Sequence, residues 1–321
     1  MTPTALPPLL AVTDLSKSYP VRKMFRTIGA VNALSGVSFS IERKETLAVV
    51  GESGCGKSTL AKVLMQIERP TGGTVAIEGK TPEAMEPRAF RKTLQMIFQD
   101  PYSSINPRKR AWEIIAEPLI VNTAMTKNEA RAKAEAMMAK VGLRPEYSIR
   151  YPHMFSGGQR QRIGIARALT LEPKIIICDE PVSALDVSIQ AQILNVLLDL
   201  QRELELSYLF ISHDLSVVEH VADRVLVIYL GRAVEYGPRN EVFANPKHPY
   251  TQVLLSSAPK ILGKKPGVKP VIGELPSRLH IPSGCAFHKR CPFAKDLCSQ
   301  AVPELRSVAG REVACHFAGQ I

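Results

Sequence analysis

Long apolar runs are missing from this chain of 321 residues. No stretch of about eighteen apolar residues occurs, so nothing in it reads as a membrane-spanning helix. Aromatic residues are scarce, at 6% with a single tryptophan. They form no tract with basic residues, which argues against a nucleic-acid groove and a nucleic-acid partner. No Cys-x-x-Cys pair is present, so the usual knuckles of a zinc ribbon are absent. Repeats of solenoid length and extended heptads are lacking too. The start, Met1 to Leu10, has neither the charge nor the unbroken apolar stretch of a secretory signal. The expectation is a cytosolic chain, where disulfides are rare.

Charge is unbalanced: 41 Lys and Arg face 30 Asp and Glu, a net +11. That favours anionic partners such as nucleotide or a membrane surface, though a basic solvated surface explains the count equally. The length allows a large core and more than one domain.

Two glycine-rich loops suited to phosphate stand out. The first reads Gly51-Glu52-Ser53-Gly54-Cys55-Gly56-Lys57-Ser58. Its glycines let backbone N–H groups curl around phosphate oxygens, and the helix that follows aims its positive end at the same anion. Lys57 reaches β- and γ-phosphates and Ser58 holds Mg²⁺ in such a loop. The second, Phe155-Ser156-Gly157-Gly158-Gln159, has serine and glycines but no lysine. One nucleotide rarely needs both loops from one molecule, so each molecule is expected to supply half of two shared sites.

Thr46–Val50 is a buried strand feeding the first loop, and Ser58–Met65 the helix after it. Leu15–Tyr19, Val37–Ile41, Thr74–Ile77, Leu94–Phe98, Ile175–Cys178, Tyr208–Ile211 and Val225–Tyr229 are further strands, with Val21–Val31 as an irregular loop. Asn128–Val141, Gln159–Leu169 and Ile189–Glu203 are helical, and Gly142 is a helix stop. Alternating strand and helix argue an α/β fold. The expected parts are 1–102 and 170–245 for the nucleotide core, with a β-rich N-terminal part. A helical insert covers 103–169, and a separate cysteine-rich tail 246–321.

Ile175–Asp179 is an apolar strand delivering a carboxylate at the sheet edge where open parallel sheets bind ligands. Asp179 is placed to hold the metal, and Glu180 to polarise an attacking water. Gln99, after its own strand, is placed to ligate Mg²⁺ or water. His213 is placed to touch a γ-phosphate as a neutral imidazole. Tyr19 suits stacking on adenine, or equally a place in the core.

In this order the residues closely resemble the ATP-binding subunits of ABC transporters, over about residues 10–260. The resemblance makes Gly51–Ser58 the Walker A motif, with nucleotide contacts from Gly51 through Thr59, and Gln99 the Q-loop. Ser156–Gln159 become the signature contacts and Ile175–Asp179 Walker B. Glu180 becomes the catalytic glutamate, Ser183–Asp186 the D-loop and His213 the switch histidine. Phe155 replaces the commoner leucine. Tyr19 matches the adenine-stacking position, with a longer gap before the phosphate loop than usual. The segment Asp100–Arg108 corresponds to the region receiving a coupling helix from the permease, with Tyr102 and Ile105 as contacts.

Pro181–Ser188, Leu230–Arg232 and His248–Thr251 are similar to the oligopeptide/dipeptide branch of importers. That likeness implies a sister ATPase as heterodimer partner, two permeases and an extracytoplasmic peptide-binding protein. It also implies a peripheral position on the cytoplasmic face of the inner membrane. Dipeptide import is the main reading; oligopeptide, nickel, haem or glutathione import are alternatives. A soluble ABC ATPase of translation or DNA repair, or a metal-binding regulatory module, are further classes.

Cys285, Cys291, Cys298 and Cys315 cluster in the tail, while Cys55 and Cys178 look like packing residues. Four cysteines in a cytosolic chain point to metal before disulfides. Zinc, an iron–sulfur cluster and plain reduced thiols all fit the residues. Similar cysteine sets in the branch imply a [4Fe-4S] cluster with a structural or redox role.

Overall fold

The compact apolar runs of the sequence become interior strands, since a strand buried on both faces accepts continuous Val, Ile and Leu. The computed structural model describes residues 7–23, 26–100, 102–257, 276–277, 279 and 281–320. In chain order, β1 (Leu10–Lys23) and β2 (Arg26–Ile41) precede β3 (Thr46–Val50), α1 (Lys57–Leu64) and β4 (Gly72–Ile77). Then come α2 (Pro87–Thr93), β5 (Leu94–Ile97), α3 (Ala111–Asn122), α4 (Lys127–Lys140) and α5 (Gly157–Leu169). β6 (Ile175–Asp179), α6 (Val187–Leu204), β7 (Ser207–Ile211), α7 (Leu215–Val221) and β8 (Arg224–Tyr229) follow. The last elements are β9 (Arg232–Pro238), α8 (Arg239–Ala244), α9 (Pro249–Ser257), α10 (Asp296–Gln300), β10 (Arg306–Val308) and β11 (Arg311–Val313).

The chain divides into two compact units, the first from 1–41, 46–81 and 211–321, the second from 42–45 and 82–210. In the first unit β3 is buried throughout and pairs parallel with β8, Val50 opposite Val227. β9 runs antiparallel along β8, β11 along β9 and β10 along β11. A separate sheet joins β1 antiparallel to both β2 and β4.

Within the loop expected over Val21–Val31, the described residues pair as antiparallel strands, with Tyr19 opposite Val31 and Val21 opposite Gly29. Their backbone ladder supplies the order that apolar alternation does not announce. The described residues beyond Pro246 also differ from a tail standing apart. Tyr250 of α9 and Phe287 pack in one core with Ala48 and Val50 of β3 and Tyr229 of β8. Ring centroids of Tyr229, Tyr250 and Phe287 lie 4.6, 5.3 and 5.5 Å apart. Each such ring contributes roughly 1.5–3 kcal/mol by leaving water.

A buried ion pair fastens the end of this unit. Arg311 lies 3.4 Å from Glu235, with both side chains almost fully buried. The Glu235 carboxylate also accepts the N–H groups of Lys247 and His248, at 2.9 Å each. Arg311 further donates to Glu241 and to the Asn245 carbonyl. Burial drives the His248 pKa down to about 3, so the ring is neutral and its Nδ1 accepts the Tyr250 N–H at 3.0 Å.

In the second unit β5 and β6 pair parallel, Ile97 opposite Cys178, with β7 next to β6. Helices α3, α4 and α5 pack on one another. α4 begins in a reciprocal cap between Thr126 and Glu129 and stops at Gly142, whose φ of 73° is left-handed, as glycine allows there. α3 was not anticipated; it carries Pro118 in its interior. Its Trp112 is buried beneath the cations of Lys127 and Arg131, 5.4 and 5.6 Å from the ring. Among the described residues no helix is long and apolar enough to cross a membrane.

Candidate nucleotide-binding site

β3 ends at Gly51, where the backbone must turn sharply. A Cβ on Gly51 would sit 2.2 Å from the Ile228 carbonyl oxygen, and one on Gly56 would sit 2.5 Å from that of Ala33. Both have positive φ, 155° and 121°, so glycine is required sterically and conformationally. The loop then enters α1, which has no capping side chain and no acid in its first turn. Its leading N–H groups are left for an anion. Lys57 is buried, and its Nζ donates to the carbonyls of Gly51 at 2.8 Å and Glu52 at 3.2 Å. The ammonium is thus held over its own loop. Ser53, Gly54 and Ser58 face solvent, and Cys55 is buried as a packing residue.

Two other expected residues lie in the same unit. The Ser212 N–H donates to the Val49 carbonyl at 3.2 Å, one residue before His213. His213 is exposed, and Asp214 next to it caps α7 through the N–H groups of Ser216 and Val217. The Tyr19 hydroxyl donates to Glu68 at 2.5 Å, and Lys17 sits 5.0 Å over its ring. Burial, then the bond to Glu68, raises the Tyr19 pKa; Thr59 also bonds this phenol.

In the second unit, parallel β5 and β6 bring Gln99 and Glu180 together at their ends. Gln99 Nε2 donates to Glu180 Oε2 at 3.0 Å. Glu180 has a φ of 47°, a left-handed conformation that costs a non-glycine residue of order 1 kcal/mol and recurs at functional sites. Ser183 fixes it by donating both N–H and hydroxyl to the Glu180 carbonyl. Asp179 is buried, 8% exposed. Cys178 before it is fully buried, with its thiol pKa pushed up by burial.

The second glycine-rich loop is finished differently. Ser156 Oγ accepts the Gln159 N–H at 3.3 Å while Gln159 Oε1 accepts the Ser156 N–H at 3.0 Å, a reciprocal cap on α5. Phe155 is buried and Ser156 exposed. A Cβ on Gly158 would meet Ile189 Cγ2 at 2.5 Å. The loop borders a cavity of about 440 Å³ lined also by Arg144, Arg162 and Gln192. In the Asp100–Arg108 segment Tyr102 is 61% exposed with Arg160 stacked at 4.1 Å, whereas Ile105 is 4% exposed. Ile105 is therefore a core residue and not a docking contact.

All four tail cysteines line one small pocket, with Pro249, Phe287, Phe293 and Phe317 among its other walls. The N–H groups of Phe287, Phe293 and Phe317 point at the sulfurs of Cys285, Cys291 and Cys315. Burial raises these three thiol pKa values, that of Cys291 to about 11. Among the described residues no group of three or more His, Cys, Asp or Glu is arranged to hold a metal ion.

Arg290 and Tyr250 are the residues that sequence reasoning missed. Arg290 pairs with Glu52 across 238 positions, and the Tyr250 hydroxyl accepts the Glu52 N–H at 2.8 Å. No local pattern announces a pairing that distant.

Fold and sites together define a P-loop ATPase of the ABC class. The model of the ABC transporter family matches residues 34–183, and that of the oligopeptide/dipeptide transporter C-terminal region matches 234–298. The di/tripeptide transport ATP-binding protein DppF of Pseudomonas aeruginosa is 54% identical over 318 residues, covering 97% of this chain and 98% of that protein. The dipeptide transport ATP-binding protein DppF of Escherichia coli is 55% identical over 319 residues, 98% of this chain and 95% of that one. Among solved structures, a dimeric post-hydrolysis state of the cassette MJ0796 with ADP and Pi has a TM-score of 0.63. It is 27% identical, over 72% of this chain and 98% of its own. The chain belongs to the ATP-binding subunits of the oligopeptide/dipeptide ABC transporters, and it hydrolyses ATP.

Proposed function

We propose that this chain energises uptake of dipeptides or similarly short peptides, from the cytoplasmic face of the inner membrane. It does so paired with a sister ATPase beneath two permeases that receive cargo from an extracytoplasmic binding protein. Both relatives are dipeptide or di/tripeptide transport ATP-binding proteins, and their likeness runs the length of the chain.

The observation that carries the paired mechanism is the unequal finish of the two loops. α1 has a lysine and no side-chain cap, whereas α5 has a cap, no lysine and a cavity flanked by Arg144 and Arg162. The first is built to hold triphosphate; the second adds donors to a phosphate already held. Lys57 and the N–H groups of Gly51–Thr59 bind the phosphates, Tyr19 borders the adenine, and Ser156–Gln159 close on nucleotide held by the partner. Exclusion of water at that closed seam strengthens each contact.

Ser58, Gln99 and Asp179 present a hydroxyl, an amide and a carboxylate, a hard oxygen set suited to Mg²⁺. The ion supplies charge neutralisation on the phosphates when bound. Glu180, oriented by Gln99, accepts the proton of the attacking water, and His213 hydrogen-bonds the γ-phosphate. Residues 103–169 form the helical signature part between the two core segments 1–102 and 170–245, with Tyr102 turned toward the permease.

For the region 246–321 we favour a [4Fe-4S] cluster on Cys285, Cys291, Cys298 and Cys315. All four cysteines line one apolar pocket, backbone N–H donors aim at three of them, and thiols are the ligands such a cluster takes. Its role is structural or redox-sensing, with no part in hydrolysis. An anaerobic preparation is expected to carry iron and sulfide in equal amounts with a visible charge-transfer band; a colourless, iron-free protein rejects the cluster.

Uptake of radiolabelled dipeptides in a deletion strain tests the cargo. Loss of dipeptide uptake, restored by the wild-type chain, supports the reading. Intact dipeptide uptake with loss of nickel, haem or glutathione uptake overturns it.

A further inference from the structure

We infer that Arg290 is a positioning residue for ATP, neutralising the Glu52 carboxylate inside the phosphate loop and holding the loop's first turn in shape. The guanidinium meets the carboxylate as a two-pronged fork: Nη1 lies 2.9 Å from Oε2 and Nη2 3.0 Å from Oε1. Arg290 is 11% exposed and Glu52 30% at the side chain. Two-pronged pairs of this kind fix direction as well as charge.

Every polar group of Glu52 is held. Its N–H donates to the Tyr250 hydroxyl at 2.8 Å, and its carbonyl accepts from Lys57 Nζ at 3.2 Å. Its carboxylate takes Arg290. The three partners come from α9, from α1 and from the segment between Cys285 and Cys291.

The charge of Glu52 explains why the fork matters. The loop attracts an anion through N–H groups and a lysine. A carboxylate one residue inside it would repel the triphosphate unless cancelled. Arg290 cancels it with a cation that does not lose its proton.

The arginine is itself well seated. It ends the short helical turn His288–Arg290, and its N–H donates to the Phe287 carbonyl at 2.9 Å. The next N–H, of Cys291, donates to the His288 carbonyl at 3.3 Å. Phe287 anchors this turn in the core, 1% exposed. Arg290 Nη1 also lies 3.3 Å from the Tyr229 hydroxyl. The cysteine-bearing segment therefore ends on the nucleotide loop.

The inference rests on Gly51–Thr59 binding ATP, and a Lys57→Ala control separates the two. If Lys57→Ala leaves ATP binding intact, the nucleotide assignment fails. If Lys57→Ala abolishes binding and Arg290→Gln changes nothing, only the role of Arg290 fails. The measurement is calorimetric titration of the intact chain with MgATP, with KM and kcat from the assembled transporter in proteoliposomes. Arg290→Gln is expected to weaken ATP binding and raise KM by about tenfold, as one uncancelled charge near triphosphate does, with kcat within about twofold. Glu52→Gln is expected to tighten binding, and the double variant to fall between the two single ones. Arg290→Lys, which keeps the charge but loses the fork, recovers part of the loss and stands in should the glutamine variant not fold. Equal weakening in both single variants, with no recovery in the double, would show a plain structural strut and overturn the electrostatic role.

Discussion

The Gly51–Ser58 loop and the Phe155–Gln159 loop both end on a helix start that seeks an anion, yet they are built in opposite ways. The first takes its shape from outside itself. Its glycines are pressed against the carbonyls of Ile228 and Ala33, and its Glu52 is held by Tyr250 and Arg290 from the far end of the sequence. The second is closed by its own Ser156 and Gln159, with Ile189 as its near neighbour. The first loop has unusual dihedrals, and distant parts of the chain hold them. The second is an ordinary helix cap.

Blocking turnover is the largest disturbance to this contrast, because it asks whether both loops close on one nucleotide. Glu180→Gln is expected to cut hydrolysis about 10²–10⁴-fold, the usual span for loss of a general base. ATP should remain bound and the paired ATPases should stay together. Single-turnover assays with labelled ATP and light scattering read both effects. Normal turnover would remove Glu180 from the proton-accepting role.

Substituting matched glycines sharpens the difference. Gly56→Ala forces a Cβ toward the Ala33 carbonyl oxygen at 2.5 Å and holds alanine at a φ of 121°. The expected cost is about 1–3 kcal/mol of stability from backbone strain alone, with loss of detectable ATP binding. No second-site change should rescue it, since the obstacle is backbone. Gly158→Ala instead meets a methyl of Ile189. It should cost about 1 kcal/mol, the low end for overpacking, and Ile189→Ala in the same chain should recover most of it. Urea midpoints give both values; rescue of Gly56→Ala by a side-chain change would break the distinction.

The smallest expected effect is that of Ser156→Ala, which removes the α5 cap at about 1 kcal/mol or less. Its thermal midpoint should fall by a few degrees at most, while ATP-driven pairing falls more than ATP binding by the isolated chain. A drop in both by the same factor would place Ser156 on the chain's own nucleotide.

Much of this contrast was legible in the residues themselves. Thr46–Val50 and Ile175–Cys178 are continuous apolar runs, which interior strands accept. Gly51–Ser58 and Ser156–Gln159 announce anion-seeking helix starts by composition. The Ala, Lys, Glu and Met of Asn128–Val141 announce α4, and Gly142 its end; the cap between Thr126 and Glu129 is added by the structure. What escaped notice depends on partners far along the sequence. The paired residues Val21–Lys23 and Arg26–Val31 are held by a cross-strand ladder and not by apolar alternation. The helix α3 hides behind Pro118, which reads as a breaker. Ile105 looks like any loop residue and is buried. The buried pair Arg311–Glu235 and the fork Arg290–Glu52 join charges 76 and 238 positions apart. Charges of either kind read as surface until the fold brings them together.

The stitching of the first unit from three stretches, the last reaching the chain's end, has a consequence for synthesis. A ribosome releases residues 82–210 as one run, so the second unit has nearly all its parts before residue 211 is added. The strand β3 and its phosphate loop emerge earlier still, but β8, Tyr250, Phe287, Arg290 and β11 arrive only afterwards. Units tend to fold as they emerge. The portion made first thus waits longest for its core, and a nascent chain is exposed to chaperones and proteases at the loop that will hold its fuel.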